Sequence, residues 1–355
     1  MADADPVDAE EPADSIDPVL ARFARPTAET STRIAVLSDL HLTDEETGTW
    51  RVSHRTEDRL EATVESLNRT ADLDAVCFVG DLVQSGTRAE YEAFDRILAG
   101  LEVPFYAVPG NHDLLVDDSR ETLSLSEFER RYTPGELPYH QRIGGVDLLA
   151  LNSNRSTRDS LAESYTGRLE PETLEWLAER LETVSNPLVA VHHNLPGTRD
   201  LLWDSLEQLP VSGGSPDFEN ADELVDVLEG ADGARAETAS GTVGPLVLTG
   251  HLHFPAVTST RGVREFTLPS LGPYPNAYTI LEIDERGTTA TMRSVSDYGE
   301  RLESFTHGLE HSRVMLAATQ LAGLPLVDDL SEGGGGFESG SGSESRSEPG
   351  SESRS

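Results

Sequence analysis

The chain contains no lysine, a single cysteine and no long apolar run. Each absence excludes something. One thiol, Cys77, permits neither an intramolecular disulfide nor a thiolate cage for a metal. Its setting in Ala75-Val76-Cys77-Phe78-Val79 marks it as a small buried hydrophobe. No stretch approaches the ~20 apolar residues that span a bilayer. The first 18 residues carry seven acidic groups and neither a base nor an apolar core, so they lack the make-up of a signal peptide. The expectation is a soluble, cytoplasmic protein with no membrane partner.

All 27 basic residues are arginine, against 64 acidic ones, which leaves a net charge of -37. Such a chain lacks the broad basic face that duplex nucleic acid requires. It does not bar a small phosphate ester from reaching cations in a cleft. Acid in this abundance without lysine resembles the proteins of salt-loving archaea. There, concentrated salt screens self-repulsion, because the Debye length falls to about 3 Å at 1 M.

What the chain does have is a series of short apolar runs separated by helical spacing. Residues 1–30 are acidic and rich in Pro and Ala, and read as a disordered arm. Strands are expected at 33–37, 75–79, 104–108, 146–151, 188–191 and 246–248. Between them, Leu60, Val64 and Leu67 share one helical face, and Leu174, Leu177 and Leu181 another after Pro171. The best-marked helix is 87–98, where Thr87 and Glu90 form a capping box and Tyr91, Phe94 and Ile97 make the stripe. A capped helix is expected over 220–228 and a final one over 309–321. Residues 256–267, 278–283 and 288–292 favour strands without helices between them.

The stretch 114–145 reads as irregular loops over a site, and 231–244 as an exposed insertion. One α/β domain over 31–297, made of two packed mixed β-sheets flanked by helices, accommodates this order. A helical extension over 298–330 and a low-complexity Gly/Ser/Glu tail over 331–355 follow.

The chemistry stands where these runs end. They deliver Asp39-Leu40-His41, Gly80-Asp81, Gly110-Asn111-His112-Asp113, Val191-His192-His193 and Gly250-His251-Leu252-His253. Sites of α/β proteins gather at the carboxyl ends of parallel strands. A spacing of two lets both side chains of Asp39/His41 and of His251/His253 leave on one side, provided the backbone stays extended. Carboxylate, imidazole and amide oxygen without sulfur suit Mn²⁺, Fe, Zn²⁺ or Ni²⁺. Two such ions about 3.5–4 Å apart would clamp the attacking and leaving oxygens of a phosphoryl group. Asp81 has the two oxygens needed to bridge them.

In this order the motifs resemble the calcineurin-like metallophosphoesterase superfamily, over roughly 33–295. Ser38-Asp39-Leu40-His41-Leu42, Glu90-Tyr91-Glu92-Ala93-Phe94, and Gly167-Arg168-Leu169 before Trp176-Leu177 are most similar to its class III cyclic-nucleotide phosphodiesterase group. The resemblance implies an αββα sandwich and two metal ions. By it, Asp39, His41 and His253 hold one ion, Asn111, His192 and His251 the other, and Asp81 bridges. A metal-bridging hydroxide would attack the phosphorus. His112 would assist the leaving oxygen, with Asp113 orienting its imidazole. His193 competes with His192 as ligand; His192 is preferred because it ends the apolar run.

Other readings stand beside a phosphodiesterase. A phosphomonoesterase or nucleotidase uses the same fold, and a non-catalytic scaffold is the non-enzymatic alternative. A protein Ser/Thr phosphatase is disfavoured. That branch carries Arg-Gly after Gly-Asp and Glu after Asn-His, whereas this chain has Leu82-Val83-Gln84-Ser85-Gly86 and Asp113. Specificity is expected in the loops 114–145 and 195–219, with Trp203 and Phe218 as candidate base-stacking groups. His54, His140, His307 and His311 carry no partner pattern and read as structural or surface residues.

Overall fold

The computed structural model describes residues 17–43, 48–114, 121–154, 165–206, 218–231, 233, 235–238 and 241–331. The chain begins with β1 (Val19–Phe23), β2 (Thr32–Leu37), α1 (Thr56–Arg69), β3 (Ala75–Val79), α2 (Arg88–Leu98) and β4 (Phe105–Val108). It continues through α3 (Leu125–Tyr132), β5 (Tyr139–Ile143), β6 (Val146–Ala150), α4 (Pro171–Leu181), β7 (Pro187–Ala190) and α5 (Pro196–Leu206). Next come α6 (Ala221–Glu229), β8 (Ala236–Thr238), β9 (Gly241–Val243), β10 (Leu246–Thr249), β11 (Ala256–Thr260) and β12 (Val263–Thr267). The last are β13 (Ala277–Asp284), β14 (Gly287–Ser294), α7 (Tyr298–His307), α8 (Ser312–Ala322) and β15 (Val327–Asp328).

The strands form a seven-stranded sheet, β15-β1-β14-β13-β2-β3-β4, and a six-stranded sheet, β11-β12-β10-β7-β6-β5. β2, β3 and β4 run parallel, as do β6, β7, β10 and β12, so their carboxyl ends gather at one edge of each sheet. The period-2 alternation of a strand decides which layer each side chain joins. Ile34 and Val36, Cys77 and Val79, Leu148 and Ala150, and Leu188 and Ala190 share the core between the sheets. Their neighbours face outward onto helices. Ala35, Leu37 and Phe78 pack with Leu60, Val64, Tyr91 and Phe94, while Leu149, Val189 and Val247 pack with Leu174, Leu177, Leu224 and Leu228. The result is the expected pair of mixed sheets flanked by helices. Burial of each large apolar side chain contributes about 1.5–3 kcal/mol.

Local signals agree with this where they are strong. The Thr87–Glu90 capping box is formed in both directions at the start of α2. Elsewhere the structure corrects the expectation. The arm does not reach residue 30, because Val19–Phe23 pairs with β14 and β15; residues 1–16 lie outside the described residues. The stretch 114–145 is not all loop. It holds α3, closed by a Ser124–Glu127 capping box, and β5. The region expected as a loop after Leu195 contains α5, and the 231–244 stretch contains the β8–β9 hairpin. Asn220 precedes α6 without a side-chain cap: its amide spans Leu169, accepting from that N–H and donating to that carbonyl. The C-terminal extension has two helices, α7 and α8, rather than one. Of the tail expected over 331–355, residues 332–355 lie outside the described residues.

Candidate metal centre

The five motifs converge where β2, β3 and β4 meet β7 and β10. Asp39, His41, Asp81, His251 and His253 all adopt positive φ, between 49° and 68°. The spacing-of-two argument therefore holds in outcome but not in its reason, since neither pair lies on extended backbone. Left-handed non-glycine residues are rare and cost of order 1–3 kcal/mol each. Here tight backbone bonds hold them: Leu40 and His41 both donate to the Asp81 carbonyl, at 2.9 and 3.0 Å. Two glycines permit the close approach. A Cβ at Gly80, itself at positive φ, would collide with the His192 ring, and one at Gly110 with the Asp81 carboxylate.

Each carboxylate serves both backbone and cluster. Asp39 accepts the His251 N–H, at 3.0 and 3.1 Å to its two oxygens, which pins the end of β10 against the end of β2. Asp81 Oδ1 accepts the His112 N–H at 2.9 Å. Its Oδ2 lies 3.6 Å from His41 Nε2 and 3.4 Å from His192 Nε2. His253 Nε2 is 3.2 Å from Asp39 Oδ1 and 3.0 Å from His41 Nε2. Asn111 Oδ1 lies 2.8 Å from His251 Nδ1 and 3.2 Å from His192 Nε2. Asp39, His41, Asp81 and His253 thus form one buried group and Asp81, His192 and His251 a second, with ligand atoms within 4.8 Å of one another in each. His193 stands in neither group; its Nδ1 meets Ser153 Oγ at 2.7 Å.

Burial sets the protonation of this array. It pushes His41 and His251 well below the ordinary imidazole range and His253 down to about 4. At His192 burial works in the same direction, but the Asp81 charge and hydrogen bond outweigh it and raise the group to about 9. Burial alone would raise Asp81; the neighbouring His192 and His112 charges instead hold it well below the usual carboxylate range. An ionised Asp81 beside imidazoles that are mostly neutral is the state that cation ligands require. Buried carboxylate oxygens and imidazole nitrogens that face one another in two groups fit a divalent cation better than a closed hydrogen-bond network.

His112 and Asp113 sit beside the cluster, but not as a pair. The expected contact between them is absent. Asp113 Oδ1 accepts from the Leu82 and Val83 amides at 2.8 and 3.2 Å, and Oδ2 from the Gly110 amide at 2.7 Å. The carboxylate is consumed in tying two site turns together. Burial and then the Asp81 charge raise it to about 7. The His112 imidazole is held instead by the Gln84 backbone carbonyl, 2.6 Å from Nδ1. A carbonyl only accepts, so Nδ1 carries the proton, and the buried Nε2 has no hydrogen-bond partner. The ring meets His41 edge-on at 4.7 Å.

Several residues at the site had no signal in the sequence. Trp50 stacks on His253 at 5.2 Å and on His311 at 3.8 Å, so His311 belongs to the site rather than the surface. Arg51, Gln84, Tyr165 and Arg313 also border the cluster. Only the position of Trp50-Arg51 shortly after the Asp39-Leu40-His41 turn hinted at any of them. The candidate stacking groups lie apart: Phe218 is buried 6.2 Å from His193, and Trp203 stands exposed on α5. His54 pairs with Glu303, and His140 with Asp147.

Fold and site together define a metal-binding phosphoesterase scaffold. Residues 32–255 match the calcineurin-like phosphoesterase family, and the chain belongs to that family. Among curated relatives, a 3′,5′-cyclic-nucleotide phosphodiesterase of a Nostoc species is 30% identical over 45% of this chain and 56% of its own length. A probable glycerophosphodiester phosphodiesterase GpdQ of Arcobacter nitrofigilis is 32% identical over 34% of this chain and 41% of its own. The GpdQ of Enterobacter lignolyticus is 26% identical over 67% and 77%. The match thus spans only about half the length of the first two. A dimetal phosphatase from Danio rerio shares the fold, with a TM-score of 0.51 at 14% identity, covering 75% of this chain and 99% of that one. Among the described residues, no helix is long and apolar enough to cross a membrane.

Proposed function

We propose that this chain hydrolyses a phosphodiester, with cyclic nucleotides the leading substrate class, at a two-cation centre. Asp39, His41 and His253 would hold one cation, Asn111, His192 and His251 the other, and Asp81 would serve both. Bound cations supply Lewis-acid polarisation of the phosphoryl oxygens and lower the pKa of water. The observation that carries the reading is the place of Asp81 Oδ2, within 3.6 Å of a nitrogen from each half of the cluster. A carboxylate whose other oxygen is taken by a backbone amide has this one left to share.

The remaining steps belong to the chain's own groups. The Gln84 carbonyl fixes the His112 proton at Nδ1 and leaves Nε2 as the reactive atom. When the ring is doubly protonated, the Nε2 proton passes to the oxygen that leaves phosphorus. Asp113 keeps the Gly110 and Leu82 turns in register, so His112 and Asp81 stay at their distance. The similarity to a cyclic-nucleotide phosphodiesterase and a probable glycerophosphodiester phosphodiesterase supports a diester over a monoester. A substrate panel with Mn²⁺ added tests this: a cyclic nucleotide, a glycerophosphodiester, bis(p-nitrophenyl) phosphate and p-nitrophenyl phosphate. At least one diester should exceed the monoester in kcat/KM by about tenfold or more, a difference of ~1.4 kcal/mol in transition-state binding. Bound metal with no turnover of any ester would sink the reading in favour of a scaffold.

A further inference from the structure

Two guanidinium groups stand beside the cluster without a carboxylate. Arg22, Arg33, Arg55, Arg88 and Arg131, for example, each pair with Asp or Glu. Among the described residues Arg51 and Arg313 form no such ion pair. Arg51 lies over the Trp50 ring at 4.9 Å and donates from Nη1 to the Gln84 side-chain oxygen at 3.2 Å. Its Nε is buried with no hydrogen-bond partner. Gln84 is also the residue whose carbonyl holds His112, so Arg51 sits on the His112 side of the site. Arg313 reaches in from the other side, donating from Nη1 to the His251 carbonyl at 3.0 Å. The Trp50–His311 stack ties the start of α8 to the loop that carries Arg51.

The Arg51 charge acts on Arg313 across the site. Holding two like charges together at a half-buried site costs free energy that an anion placed against both would recover. Arginine is suited to this, because its planar fork matches the oxygens of phosphate and its charge does not titrate away.

We propose that Arg51 and Arg313 are binding residues for the non-bridging oxygens of the substrate's phosphoryl group, forming a clamp completed by α8. That helix lies beyond residues 32–255, which match the family, whereas Arg51 lies within them. The inference rests on the reading of the cluster as a phosphoester site. The clamp orients and attracts substrate but gives and takes no proton, so it should act on KM and hardly on kcat.

The test compares metal-loaded wild type with Arg51→Gln, Arg313→Gln and Arg313→Lys, using bis(p-nitrophenyl) phosphate as substrate and inorganic phosphate as competitive inhibitor. Each Gln variant should raise KM and the phosphate inhibition constant about tenfold, the effect of one charge-assisted hydrogen bond. The change in kcat should stay within about threefold, and metal content should match wild type. Arg313→Lys keeps the charge and should recover part of the loss, which a purely structural bond to the His251 carbonyl would not show in KM alone. An unchanged KM and inhibition constant in Arg51→Gln would overturn the clamp. A second readout needs no turnover: calorimetric titration of inorganic phosphate into the metal-loaded protein. Binding by wild type that Arg51→Gln abolishes supports the clamp even if no ester is hydrolysed. No binding by wild type refutes it even if esters are.

Discussion

The outer faces of the two sheets and the carboxyl ends of their parallel strands are built by opposite rules. On the outer faces, side chains alternate strictly, helices are capped, and apolar residues such as Phe94 and Leu177 are wholly buried. At the strand ends, buried groups are polar. Of the nine non-glycine residues with positive φ among the described residues, five are the candidate ligands Asp39, His41, Asp81, His251 and His253. The faces hold the chain together. The ends carry strain and unpartnered nitrogens that the faces must over-determine. Damage to one region should therefore look different from damage to the other.

Four substitutions break or sharpen that contrast, from the largest effect to the smallest. Asp81→Asn removes the oxygen shared by both halves of the cluster. Activity should fall by more than about 10³-fold with loss of bound metal. Intact metal content and rate would dissolve the contrast at its centre. His112→Ala should keep the metal and lose about 10²–10⁴-fold in kcat, the range for acid–base groups. Phe94→Ala is the mirror image: about 3–5 kcal/mol of stability lost in denaturant titration, with kcat per folded molecule unchanged.

Asp113→Asn is the sharpest case, because Asp113 lies at the site but serves the backbone. It should cost about 1–3 kcal/mol of stability by spoiling the bond to the Gly110 amide, and lower kcat less than about tenfold. A loss of 10²-fold in kcat (the low end for acid–base groups) at full stability would show that Asp113 acts on the imidazole after all.

The faces were also the easier region to read. β2, β3, β6, β7 and β10 are buried on both sides, so they stand out as apolar runs, and the residues that follow them are marked by position alone. That is why the ligand candidates were visible while their geometry was not. The left-handed turns at Asp39 and His251 arise from backbone bonds between distant strands, which local spacing does not encode. The same holds for Asp113, whose partners are amides 30 and 31 residues away as well as one nearby. Trp50, His311 and Arg313 meet across most of the chain, and no periodicity connects them. Val19–Phe23 is not legible in the sequence because a five-residue strand after an acidic stretch has little pattern of its own.

Metal stoichiometry tests the central claim most directly. Protein purified, supplemented with Mn²⁺ and freed of excess ion should contain two metal ions per chain by elemental analysis. In Asp81→Asn that number should fall towards zero. One ion or none in the wild type, or two in Asp81→Asn, would contradict a centre in which a single carboxylate oxygen serves two cations.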